Sequence, residues 1–242
     1  MLSVFLFLFT FQAKAIVGGE FASLSHPVSR STVSLNFRGR SFCTGTLISR
    51  VHVLTAAHCL TSGRRFQVGF GVTPRRSIFL PVRSVVIHPE YDPNNSKNEP
   101  EGPPNDIAII LLDEIAPRGF VPTRLPSRSV VPDEPLLLSG FGIESFNGRR
   151  SGRLKLVATK VLRTNELAKE IRFGPTPGRS ACRGDSGGPA YVVSENGRLV
   201  VVGATSRGLS GQLDPFGDPT GCVGEGFYTD VYAHTNWILN NL

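Results

Sequence analysis

The chain has 242 residues, 40% of them hydrophobic and 19% charged, an ordinary globular composition with enough apolar side chains for a sizeable core. The formal charge of +7 comes from scattered Lys and Arg. Pairs such as Arg64-Arg65, Arg75-Arg76 and Arg149-Arg150 read as solvated loop charges, which excludes a nucleic-acid footprint.

Residues 1–15 read MLSVFLFLFTFQAKA, an apolar run ending in Ala13-Lys14-Ala15. This is the pattern of a secretory signal peptide with a small-residue cleavage site, although no positive residue precedes the run. The run is too short to span a bilayer as a helix, and no other stretch qualifies. Cleavage after Ala15 leaves Ile16-Val17-Gly18-Gly19 as the new N-terminus. A secreted protein, extracellular or periplasmic, is expected.

Apolar, β-branched runs then recur along the chain. They are Thr32–Phe37, Gly45–Ile48, Val51–Thr55, Phe66–Phe70, Ile78–Val82, Ile107–Leu112, Leu136–Leu138, Leu154–Val161, Ala190–Val193, Leu199–Ala204 and Phe227–Val231. With 26 Gly and 18 Pro punctuating the chain, this predicts an all-β barrel or sandwich. Only Tyr232–Leu242 reads as a helix, with Trp237, Ile238 and Leu242 on one face. Pro89–Asn105 and Leu209–Gly221 read as long loops. Pro117–Pro135 reads as a linker between β units at about 16–116 and 136–231.

Four cysteines, Cys43, Cys59, Cys182 and Cys222, allow three pairings, and spacing does not choose among them. No close ligand pair such as C-x-x-C exists, so no metal site is expected. An even count behind an export signal favours disulfides.

Three constellations carry chemistry. In Gly184-Asp185-Ser186-Gly187-Gly188-Pro189 a serine sits on a tight glycine turn. Its hydroxyl is a poor nucleophile until a base takes its proton, and backbone N–H groups must meet the oxyanion that its attack creates. In Thr55-Ala56-Ala57-His58-Cys59 a candidate base follows a strand and is anchored by a cysteine. His26, His52, His88 and His234 have no comparable setting. In Asn105-Asp106-Ile107-Ala108-Ile109-Ile110 an aspartate heads a buried strand, where it needs hydrogen-bond donors. A histidine ring N–H is such a donor.

The segments TAAHC, NDIAIILL and GDSGGP, in the order His, Asp, Ser, resemble the chymotrypsin/trypsin family of serine peptidases. IVGGE, SFCTGTLIS, LSGFG and GFYTDVYAHTNWI extend the resemblance from Ile16 to Leu242. It implies two packed six-stranded antiparallel β-barrels with a short C-terminal helix over 232–242. It implies a catalytic triad of His58, Asp106 and Ser186, with the N–H groups of Gly184 and Ser186 as oxyanion hole. It implies disulfides Cys43–Cys59 and Cys182–Cys222, and an activating ion pair between the α-amino group of Ile16 and Asp185. Since the signal peptide abuts Ile16, signal cleavage itself would complete the enzyme.

The resemblance also places Ser180 on the floor of the substrate pocket, with Ser206, Gly208 and Gly226 along its walls. A neutral floor implies large apolar or aromatic residues before the cut. Arg207 departs from the aromatic residue usual in that strand. The loop after Gly208 is long, and its Asp214 and Asp218, with Glu225, would admit basic residues if they entered the pocket. Leu209 or Phe216 folding inward would favour small ones. Residues 63–80 contain no Asp or Glu, so the calcium site of some family members is not expected. Asn94-Asn95-Ser96 is a glycosylation sequon. The expected partners are polypeptide substrates and protein protease inhibitors, on a monomer without cofactor. Two rivals are weaker. A silent binding protein on this scaffold would have lost a triad residue, and an α/β-hydrolase esterase would carry its triad in the order Ser, Asp, His.

Overall fold

The computed structural model describes residues 19–94, 105–143, 152–174, 181–208 and 225–242. Thirteen strands are present: β1 Glu20–Phe21, β2 Thr32–Phe37, β3 Arg40–Leu47, β4 His52–Thr55, β5 Gln67–Phe70, β6 Ile78–Ile87, β7 Ala108–Leu112, β8 Pro135–Gly140, β9 Lys155–Asn165, β10 Glu170–Phe173, β11 Pro189–Val193, β12 Leu199–Gly208 and β13 Gly226–Asp230. The first barrel closes in the order β2-β3-β4-β7-β6-β5, with β5 returning to β2. The second runs β9-β10-β13-β12-β11-β8, and β8 closes it on β9. All these pairs are antiparallel, so the expected two-barrel, all-β architecture is present.

Strand β7 shows how the barrels come to face each other. Its residues are nearly all apolar because both faces are covered. Ala108, Ile110 and Leu112 enter the core of the first barrel, with Val33, Leu35, Val53, Val68 and Phe70. Ile107 and Ile109 point the other way, into a cluster between the barrels with Phe141, Leu156, Tyr191 and Val201. The second barrel has its own core around Leu138, Val161, Ile171, Phe173 and Tyr228. Polar contacts fix the barrels at close range. Thr32 Oγ1 lies 2.8 Å from Ser139 Oγ and 3.1 Å from the Tyr191 hydroxyl.

Two strands were not expected from the sequence. β1 is only two residues long and pairs with β9 through Glu20–Leu156 and Phe21–Lys155. Residues 20–21 therefore join the second barrel's sheet, although the expected N-terminal unit starts at 16. β10 reads Glu-Ile-Arg-Phe, and its charges hide it from a hydrophobic pattern. Glu170 and Arg172 are nonetheless buried, because each charge has a partner. Arg207 Nη2 donates to Glu170 Oε2 at 3.0 Å, and its Nη1 donates to Oε1. The Arg172 and Arg207 guanidiniums lie 4.3 and 4.1 Å from the Phe227 ring centroid. Removing the acid strands two buried cations. Glu170→Ala is expected to destabilise the fold by about 3 kcal/mol, read as a lower denaturant midpoint with unchanged slope.

The C-terminal helix is shorter than expected. A single 3₁₀ turn over Tyr232–His234 leads into α1, Thr235–Leu239. Segment 117–134 forms no strand, but it is tied to both barrels. Thr123 N donates to Leu47 O at 2.9 Å, and Thr123 Oγ1 donates to Leu199 O at 2.8 Å. No described helix is long and apolar enough to cross a membrane.

Candidate active site

His58 sits in a 3₁₀ turn, Ala57–Cys59, directly after β4. The turn is pinned by a Cys43–Cys59 disulfide with the Cα atoms 6.3 Å apart, which ties it to β3. Asp106 precedes β7 and is 1% exposed. Asn105 before it adopts φ 56°, which turns the aspartate back toward His58. His58 Nδ1 lies 2.8 Å from Asp106 Oδ2, and the His58 backbone N–H donates to Oδ1 at 2.9 Å. The acceptor-only carboxylate puts the ring proton on Nδ1 and leaves Nε2 as the basic nitrogen. Burial pulls the His58 pKa down, but the hydrogen bond and charge of Asp106 outweigh it, and the net shift is upward.

Ser206 adds a contact not foreseen from sequence. Its hydroxyl donates to Asp106 Oδ2 at 2.6 Å. The residue expected along the pocket wall thus also holds the carboxylate that holds the histidine. Thr229 Oγ1 donates to the Asp106 carbonyl at 2.9 Å. Below Asn105, buried His234 places Nε2 3.0 Å from Asn105 Oδ1 and Nδ1 2.7 Å from Asp230 O. Burial pushes its pKa down to about 4. This histidine shapes the Asn105 turn.

The serine arrives from the second barrel. Thr44 N donates to Ser186 O at 2.8 Å, and Thr44 Oγ1 donates to Gly184 O at 2.8 Å, so β3 grips the serine turn across the cleft. The turn needs its glycines. Gly184 has φ 95° and Gly187 φ 76°, and a Cβ on Gly187 would overlap Thr55 Oγ1. His58 Nε2 and Ser186 O lie 3.8 and 3.7 Å from the same Cys59 Sγ. The imidazole and the serine segment are therefore neighbours, without a hydrogen bond between Nε2 and the Ser186 hydroxyl. Such bonds in empty sites commonly tighten only around substrate. Among the described residues, the N–H groups of Gly184 and Ser186 donate to no protein acceptor.

Asp185 is buried under the turn. Its carboxylate accepts from Gly142 N and Cys182 N, each at 2.8 Å. Burial raises its pKa to about 6, against the opposing effect of these bonds and of Lys155. Gly208 opens on free space, whereas the Phe173 ring fills the position a side chain on Gly226 would take. Arg207 turns away to Glu170. Cys182 is a disulfide cysteine. Its expected partner Cys222 lies outside the described residues, as do Ile16, Ser180, Leu209, Asp214, Phe216, Asp218 and most of the sequon. Among the described residues, the cluster with metal-ligand spacing is Cys43, His58 and Cys59. Its two sulfurs are oxidised to the disulfide and offer no thiolate.

A family model described as Trypsin matches residues 16–238. The chain belongs to the trypsin family of serine endopeptidases. It is similar to vitamin K-dependent protein C of Rattus norvegicus, 31% identical over 237 residues, with 85% of this chain and 47% of the relative covered. It is also similar to chymotrypsin-C of Bos taurus, 29% identical over 224 residues, with 84% of this chain and 79% of the relative covered. It thus spans about half the length of the protein C relative and most of the chymotrypsin-C one.

Proposed function

We propose that the chain is a secreted serine endopeptidase that cleaves through an acyl-enzyme, with Ser186 as nucleophile, His58 as base and Asp106 as its orienting carboxylate. The observation that carries the reading is the buried Asp106 carboxylate shared between His58 Nδ1, the His58 backbone N–H and Ser206. As the Ser186 oxygen attacks the scissile carbonyl, its proton passes to His58 Nε2. The imidazolium so formed is stabilised by Asp106 through Nδ1–H. The carbonyl oxygen becomes an oxyanion facing the Gly184 and Ser186 N–H groups, which have no competing acceptor. His58 then returns the proton to the leaving amine. Water repeats the cycle on the acyl-enzyme and frees Ser186. In this reading signal cleavage exposes Ile16, whose α-amino group pairs with Asp185.

Ser180 brings no fixed charge to the pocket floor, so the residue before the cut is uncharged, and a neutral floor suits large apolar or aromatic side chains. The Phe173 ring over Gly226 favours a second reading, in which the pocket is shallow and takes small residues. Matched peptides with Phe, Leu, Ala or Arg before the cut separate the two. Highest kcat/KM for Phe supports the first and for Ala the second. Dominant cleavage after Arg defeats both.

A further inference from the structure

Lys155 is 0% exposed, an ammonium group withdrawn from water. Such a group persists where negative charge is near. In the β8–β9 ladder Lys155 stands directly opposite Gly140. Opposed residues of an antiparallel pair project from the same face, with Cβ atoms about 4.5–5.5 Å apart. A Cβ on Gly140 would overlap Asp185 Oδ1. The Asp185 carboxylate thus occupies the side-chain position of Gly140, and the Lys155 stem rises beside it. On its other flank Lys155 is opposite Phe21, whose ring centroid is 4.0 Å from Nζ. Arg153 lies over the same ring at 3.5 Å, which biases the Lys155 charge toward the carboxylate. The remaining titratable neighbour of Asp185 is Tyr228, whose own pKa is pushed up by burial and then by the Asp185 charge.

Asp185 matters to the site because of what it holds. Its oxygens accept from Cys182 N and Gly142 N, and Asp185 N and O bond Cys182 O and Gly188 N. The Cys182–Gly188 turn, with the Gly184 and Ser186 N–H groups, is wrapped around this one ionised side chain. A neutral Asp185 would be a weaker acceptor for both amides.

We propose that the Lys155 ammonium is a built-in counter-charge for Asp185, a positioning residue that keeps the Cys182–Gly188 turn in working shape even when residue 16 carries no free α-amino group. This rests on the peptidase reading above. Lys155 and the Ile16 amine become two cations for one acid, either of which sustains the turn. The uncleaved enzyme then has basal activity, and release of Ile16 adds to it rather than switching it on from nothing.

The test compares two forms, residues 16–242 and residues 15–242, the second checked by mass to retain Ala15. Each is made with Lys155, Lys155→Met and Lys155→Arg, and each is assayed for kcat and KM on a chromogenic peptide and for covalent labelling of Ser186. With Lys155 present, the 15–242 form should keep at least about a tenth of the kcat/KM of the 16–242 form. Lys155→Met should lower kcat at least about tenfold more in the 15–242 form than in the 16–242 form, and Lys155→Arg should restore most of it. An equal loss in both forms marks a merely structural residue and overturns the proposal. A silent 15–242 form beside an active 16–242 form overturns it too, and that comparison needs no variant to fold. If the wild-type 16–242 form neither turns over peptide nor takes the label, the peptidase reading itself falls and takes this inference with it.

Discussion

Ser186→Ala is expected to lower kcat by a factor on the order of 10⁶, with KM nearly unchanged. The size follows from what the hydroxyl does. Without it no acyl-enzyme forms, and His58 has no proton to take. Remaining catalysis, on the order of 10³-fold over water, comes from substrate binding and the Gly184 and Ser186 N–H groups, which alanine keeps. The fold should not notice the change. The turn is held through backbone groups, with Ser186 O accepting from Thr44 N and Asp185 anchored below, so stability should stay within about 0.5 kcal/mol. The measurement is single-substrate kinetics beside a denaturant titration. Activity within tenfold of the wild type, on a protein freed of contaminating peptidase, would remove Ser186 from the mechanism.

The barrels were legible because their cores are built at period two. Thr32–Phe37 reads as β2 without adjustment, and Ile107–Leu112 as β7 with one residue to spare. Where the strands outran the reading, a residue type intervened. β3 begins at Arg40, five residues before its expected start, because Ser41, Thr44 and Gly45 dilute its apolar signal. β6 continues past Pro81 to Ile87 although proline weakens strand signals. Ser84, Val85 and Val86 are exposed there, so one face of the strand never had to be apolar. β10 stayed hidden because burial usually selects against Glu and Arg, and only the distant Arg207 makes Glu170 tolerable. No local pattern reports a partner 37 residues away.

The candidate site divides in the same way. Motif residues stand out because their neighbours in sequence are constrained too: glycines at positive φ around Ser186, a disulfide cysteine beside His58, a buried strand after Asp106. The supporting contacts carry no such signature. Ser206 reaches Asp106 across 100 residues, and Thr44 reaches Gly184 across 140. A serine or threonine in a strand looks the same whether it faces solvent or holds a carboxylate. Lys155 was unremarkable as letters, since its burial depends on β1, β8 and the Asp185 turn arriving together.

Asp106→Asn tests the imidazole half of the site and separates geometry from charge. The amide is the size of the carboxylate, so the backbone and His58 should stay in place. The His58 N–H needs an acceptor at Oδ1, which fixes the amide oxygen there and turns the NH₂ toward Nδ1 and Ser206. Ser206 can rotate to accept. His58 cannot adapt without cost, because an amide donating to Nδ1 drives the ring proton to Nε2. That tautomer presents N–H to Ser186 where a lone pair is required. The expected kcat loss is on the order of 10⁴-fold, the size this exchange has in the family's triad. The pH dependence should move as well. In the wild type the folded-state pKa of His58 lies above its usual value of about 6.5. The charged His58–Asp106 pair therefore adds stability that is full below the unfolded pKa and is lost as pH rises through the folded one. Catalysis has the opposite profile, since the base must be neutral, and kcat/KM climbs through that raised pKa. Without the carboxylate only desolvation remains, which favours the neutral ring. The acid limb of the kcat/KM profile should then shift to lower pH while its plateau collapses. A plateau loss below tenfold, or an acid limb that stays where it was, would mean that Asp106 does not set the proton on His58.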